Sequence, residues 1–103
     1  MLLVRDTMYC KPGKVREMVE KFLAMSKVSE KAGMPKMRVL TDVSAGRYWT
    51  VVSEMEVESL TAYDSMYAAM GQGNDHMKEM ESIMKGYHDL VVEGRREIFK
   101  IER

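Results

Sequence analysis

Few residues in this chain are equipped for chemistry, and they are scattered. His76 and His88 can each act near neutral pH as an acid, a base or a metal ligand. Carried on one helix they would stand about 18 Å apart at 1.5 Å per residue, so they cannot share an ion. Asp75, His76 and Glu79 lie closer and could offer nitrogen and oxygen ligands, although the same types at a helix start also serve as solvated capping groups. His76 is the better candidate of the two. Glu54 and Glu56 alternate onto one strand face about 6.7 Å apart, a spacing that suits either proton transfer or a solvated strand end. Arg38, Arg47, Tyr48, Trp49 and Thr50 would be gathered by a hairpin into a planar cation, a phenol and an indole. Such a group suits an anionic aromatic ligand, and equally a protein interface, where Arg, Tyr and Trp are enriched.

The remaining signal is methionine, twelve residues in 103. Met66, Met70, Met77, Met80 and Met84 recur at helical spacing, and Met8, Met18, Met25, Met37 and Met55 also fall at positions expected to be buried. Flexible thioethers fill irregular cores or line permissive cavities. Cys10 follows a strand and precedes Lys11 with no histidine near it in sequence, which reads as a small buried hydrophobe. Gly71-Gln72-Gly73-Asn74 matches neither the phosphate loop nor the dinucleotide fingerprint and reads as a kink between helical pieces.

The elements that must position these groups follow from periodicity. Leu2 to Cys10 is β-prone and is stopped by Lys11-Pro12-Gly13. From Lys14, Val15, Met18, Val19, Phe22, Met25 and Ser29 share one helical face, and Gly33 and Pro35 close the helix. A hairpin is expected from Met37–Val43 and Arg47–Val57 about Ser44-Ala45-Gly46. Its second arm would place Trp49, Val51, Met55 and Val57 on one face and Tyr48, Thr50, Val52, Glu54 and Glu56 on the other. Ser59 caps a helix carrying Leu60, Tyr63, Met66, Tyr67 and Met70. Asn74 would cap its continuation through Met77, Met80, Ile83, Met84, Tyr87 and Val91, before a final strand from Arg95 to Ile101. The order βαββαβ is that of ferredoxin-like α+β domains, a four-stranded antiparallel sheet with both helices on one face. The other face would carry Tyr48, Thr50 and Val52, a surface that suits a partner. Two copies packed face to face would cover it.

Composition excludes several classes. At 103 residues the chain is expected to be a single domain spanning 1–103. Sixteen basic and sixteen acidic residues give no net charge, which argues against a nucleic-acid partner. One cysteine permits neither an internal disulfide nor a cysteine zinc site. The start has no secretory pattern and no apolar run is long enough to cross a bilayer, so a cytoplasmic location without membrane partners is expected. Neutrality conceals asymmetry: Lys11 to Arg38 holds eight basic and three acidic residues, Val39 to Leu90 three and nine.

The turn Pro12-Gly13-Lys14, the hairpin stretches Arg38 to Gly46 and Arg47 to Glu54, and the passage Glu56 to Tyr63 resemble the dimeric α+β barrel superfamily. Within it the likeness is to NIPSNAP-like and antibiotic biosynthesis monooxygenase-like domains. That resemblance implies a homodimer with a small-molecule pocket, and relatives that include cofactor-free monooxygenases, haem-degrading enzymes, chlorite-type dismutases and muconolactone isomerases. The haem-degrading group uses an Asn on the first strand, a Trp on a helix and a His on the second long helix. Here Asp6 and Thr7 stand on the first strand, Trp49 falls in an expected strand, and only His76 corresponds. The expectation is a homodimer binding a small apolar or aromatic ligand, with no resident metal or cofactor. Arg38, Thr50, Met66 and Met80 would contact the ligand, and His76, Tyr48 and Trp49 would act in any catalysis. A cofactor-free or haem-linked monooxygenase and a non-catalytic dimeric interaction module are the alternatives.

Overall fold

The computed structural model describes residues 1–70 and 75–103, apart from the side chain of Met70. Strands β1 (Leu2–Cys10), β2 (Met37–Thr41), β3 (Thr50–Val57) and β4 (Val91–Lys100) form one sheet, and helices α1 (Val15–Lys31), α2 (Leu60–Met70) and α3 (Asp75–Met84) complete the fold. The strand order is β2-β3-β1-β4, with every pairing antiparallel. This is the ferredoxin-like α+β arrangement that the sequence pattern predicts. No helix among the described residues is long and apolar enough to cross a membrane.

Alternation along the strands separates two faces. Val4, Met55 and Val57 pack with Met34 and Tyr63, while Cys10 and Val51 pack with Met18, Val19, Phe22 and Leu90, so these positions face the helices. Their neighbours Arg5, Thr7, Val52 and Glu54 therefore point to the opposite, uncovered face. Helix α1 begins after the Lys11-Pro12-Gly13 turn and ends in a Schellman motif. Gly33 sits at φ +82°, its N–H donates to Glu30 at 3.0 Å, and the Met34 N–H donates to Ser29 at 3.0 Å. Helix α2 starts where expected: the Ser59 hydroxyl accepts the Ala62 N–H at 3.1 Å.

Three boundaries differ from the sequence reading. The hairpin arms are shorter, and residues 42–49 form a loop. The Asp42 carboxylate accepts the Thr50 N–H at 2.8 Å, which closes that loop early. Trp49 adopts φ +61°, so it leaves the strand and the face of Val51, Met55 and Val57, on which it was expected. The final helical piece ends at Met84 rather than running to Val91, because Gly86 turns left-handed at φ +84° before a short 3-10 turn at Tyr87–Asp89. Strand β4 consequently begins at Val91 instead of Arg95 and brings Gly94 opposite Met8. A Cβ at Gly94 would approach the Met8 sulfur to 3.2 Å, so the missing side chain gives that thioether its place. The expected Gly71-Gln72-Gly73 break and Asn74 cap lie outside the described residues.

Candidate functional site

A cavity of about 540 Å³ lies between the sheet and the helices. Seven methionines line it: Met8 and Met55 from the central strands, Met37 from β2, Met25 from α1, Met34 from the turn after α1, and Met80 and Met84 from α3. Val4, Phe22, Tyr63, Tyr67 and Tyr87 complete most of the wall. The volume falls within the range of small-molecule sites, and the wall is mostly apolar with a few polar groups, as such sites are.

Four of the polar groups, Asp6, Arg96, Tyr63 and Tyr67, lie together. Asp6 interrupts the inward series Val4, Met8, Cys10, and the β1–β4 register sets it opposite Arg96. The Arg96 guanidinium donates to both Asp6 oxygens, Nε to Oδ1 at 2.6 Å and Nη2 to Oδ2 at 3.2 Å. Arg96 also stands 5.9 Å from the centroid of the Tyr63 ring. Tyr63 is 8% exposed, and its hydroxyl meets no partner among the described residues but the Tyr67 phenol beside it. Burial, then the neighbouring Tyr67 phenol, pushes the Tyr63 hydroxyl well above the usual tyrosine range, so it remains a neutral donor. The two phenol rings lie 4.8 Å apart. Asp6, Arg96, Tyr63 and Tyr67 thus make a polar edge to a thioether-lined chamber.

The expected site residues are distributed otherwise. Met80 lines the cavity, and Met66 packs behind its wall against the cluster of Val4, Met55 and Tyr63. Arg38 lies on the opposite sheet face, bound to Glu54. Thr50 is buried at the end of β3, its hydroxyl donating to the Arg47 carbonyl at 2.9 Å. Tyr48 is 85% exposed and Trp49 43% exposed in the loop. Arg47 instead stacks over Tyr9 at 3.8 Å and reaches Glu93 at 3.3 Å, so the hairpin gathers no single site from these residues. His76, half-buried near the start of α3, does not line the cavity, although its Nδ1 is covered and has no partner among the described residues. His88 packs its ring against Tyr87. Neither histidine offers an imidazole to a haem iron in the cavity, and no cluster of three or more His, Cys, Asp or Glu among the described residues is placed to hold a metal ion.

On the uncovered face, Glu54 is held between two arginines. Arg5 donates from Nε to Oε2 at 2.8 Å, and Arg38 donates to Oε1. Burial resists ionisation of Glu54, but hydrogen bonds and positive charge from Arg5 and Arg38 outweigh it and hold the carboxyl below its ordinary value. The face around this triad carries Leu40 and Phe99, both about 40% exposed.

Sequence reasoning missed Asp6, Arg96 and the partnership of Tyr63 with them. The available signal was a carboxylate breaking an inward apolar alternation on β1, with an arginine at a facing position of the last strand.

The fold places the chain among ferredoxin-like α+β proteins, and solved structures refine that. An uncharacterised NIPSNAP domain protein from Burkholderia xenovorans is similar with a TM-score of 0.78 at 13% identity, over 98% of this chain and 94% of that one. A NIPSNAP family protein of unknown function from Agrobacterium tumefaciens matches with a TM-score of 0.75 at 16% identity, over 100% and 89%. A Nitrosomonas europaea protein provisionally named an antibiotic biosynthesis monooxygenase matches with a TM-score of 0.69 at 12% identity, over the whole of both chains. The resemblance expected from the sequence is therefore present at the level of fold. No protein-family model matches the chain, and no curated protein does.

Proposed function

We propose that this protein is a homodimer that binds a small, mostly apolar ligand in the methionine-lined cavity. The observation that carries the reading is the chamber itself: about 540 Å³ bounded by seven thioethers, with Asp6, Arg96, Tyr63 and Tyr67 at one edge. Methionine makes an adaptable wall because its unbranched chain and polarisable sulfur accommodate varied shapes. The cavity is half-open, so a ligand has a way in. The single domain 1–103 supplies every wall of this site.

A partner copy is supported by the uncovered sheet face. Leu3, Leu40, Val52 and Phe99 surround the Arg5–Glu54–Arg38 triad, a mixture of apolar area and arginine that suits a two-fold contact. Within such a dimer Arg38 and Thr50 belong to the contact face, and Met66 and Met80 to the cavity wall and its backing. The reading of this protein as a cytoplasmic binding protein is part of the same proposal. Catalysis without a resident cofactor is the second reading, favoured by the convergence of two phenols and an arginine-carboxylate pair on the chamber. In that reading Tyr63, Tyr67, Asp6 and Arg96 would meet the substrate, and His76, Tyr48 and Trp49, which do not line the chamber, would not.

The test has two arms. Sedimentation velocity should give a dimer that Leu40→Glu with Phe99→Glu converts to a folded monomer; a wild-type monomer would refute the assembly. Titration with N-phenyl-1-naphthylamine, a neutral fluorescent probe, should saturate at one molecule per chain. Absence of a saturable signal would refute the ligand-binding reading.

A further inference from the structure

Resting on that reading, we infer that the cavity selects ligands bearing one neutral carbonyl oxygen, held by the Tyr63 hydroxyl, over pure hydrocarbons and over carboxylates. Arg96 and Asp6 satisfy each other through two hydrogen bonds, so the pair brings no net charge to the cavity. A carboxylate entering there would lose its hydration and find Arg96 already matched, while Arg95, the other lining arginine, alternates with Arg96 toward the uncovered face of the sheet. A hydrocarbon would leave the Tyr63 hydroxyl as it is, covered and with no partner among the described residues but the Tyr67 phenol beside it. A donor so poorly met carries a free-energy cost that a ligand acceptor removes, and this is how sites built around a polar group reject analogues that lack its complement. Burial and the Tyr67 phenol both oppose ionisation of Tyr63, which keeps its proton available for donation.

Access to that hydroxyl is through Tyr67. Tyr67 lies beside Tyr63 and is 40% exposed, so it can turn outward, whereas Tyr63 is fixed in the core cluster with Val4, Met34, Met55 and Val57. The carbonyl oxygen would then accept from Tyr63, with the hydrocarbon body among the thioethers, where sulfur–aromatic contacts favour a ring. Tyr63 is thus a specificity-determining residue, and Tyr67 sets how readily the hydroxyl is reached.

Three probes of one ring system separate the possibilities: naphthalene, 2-acetonaphthone and 2-naphthoate, each titrated against protein carrying methyl-13C methionine. The ketone is expected to bind at least tenfold more tightly than either of the others. Tyr63→Phe should abolish the ketone's advantage over naphthalene. The variant should melt close to wild type, because among the described residues the hydroxyl it lacks has only the Tyr67 phenol to lose. Equal affinities in wild type, tighter binding of the naphthoate, or a ketone advantage that survives in Tyr63→Phe would overturn this inference while leaving the cavity reading intact. If none of the three probes shifts a cavity methionine, the cavity reading fails and this inference with it.

Discussion

The two faces of the sheet solve the burial of charge in different ways. On the helix side Asp6 and Arg96 meet at the edge of a chamber, both still partly open to solvent at 26% and 53% side-chain exposure. On the uncovered side Glu54 is only 7% exposed, although no helix lies over it; the arginines themselves provide the cover, at 37% and 68%. One face has an ion pair beside space, and the other has an ion triad without space. The contrast teaches that the helix layer does not simply seal the sheet. It leaves room where thioethers and phenols converge, whereas the uncovered face is closed in by its own side chains.

Substitutions that break this contrast should rank in order. Met18→Ala removes a fully buried side chain outside the cavity wall and should cost about 3 kcal/mol of unfolding free energy. Met25→Ala and Met84→Ala, which border existing space, should each cost about 1 kcal/mol, and chemical denaturation measures both. Equal losses at Met18 and Met84 would remove the distinction between packed core and cavity wall.

Glu54→Gln falls between these two classes, at about 2 kcal/mol, since it leaves two arginines facing a neutral amide. The pH dependence has a definite sign. The folded carboxyl titrates below its ordinary value of 4.5, so its contribution is full above that value and is lost as pH falls through the folded pKa. Acid titration of stability should therefore be shallower in Glu54→Gln than in wild type over that window. Arg38→Ala, which removes the more exposed arginine, should cost under about 1 kcal/mol.

The smallest effect concerns the wall formed by α3. Lys21 on α1 donates to the carbonyl oxygens of Ile83 at 2.9 Å and Lys85 at 2.8 Å, capping the end of α3. Lys21→Met should speed amide hydrogen exchange across residues 80–85 several-fold while leaving β1 and β3 protected. Unchanged exchange there would show that methionine packing alone holds that wall.

Much of the fold was legible because its signals are local. The Met18, Val19, Phe22 spacing defines the buried stripe of α1, Ser59 caps α2, and the alternation of Val51, Met55 and Val57 orients β3. The ends of the hairpin were not legible, because Asp42 closes the loop through a side chain and Trp49 takes a left-handed φ that its type disfavours. Nor was the break after Met84, which depends on Gly86 adopting a positive φ.

The site was legible in part. Methionine at helical spacing points to a soft interior, and Met80 lines the cavity. Asp6 and Arg96 lie 90 residues apart and meet only through strand register, which periodicity does not reveal. Arg38, Arg47, Tyr48 and Trp49 read as one group in the sequence because the hairpin brings its arms together, but adjacency along the chain does not make their side chains adjacent. In the sheet, Arg38 answers Glu54 while Arg47 answers Tyr9 and Glu93.

The central claim is that the methionines surround a ligand chamber rather than fill a core. Methyl-13C methionine spectra recorded during titration with naphthalene test it most directly. The prediction is saturable shifts at the seven lining methionines, among them Met8, Met55 and Met84, with Met1 and the fully buried Met18 unmoved. Spectra in which no lining methionine moves, or in which Met1 and Met18 shift as much as the wall, would contradict it.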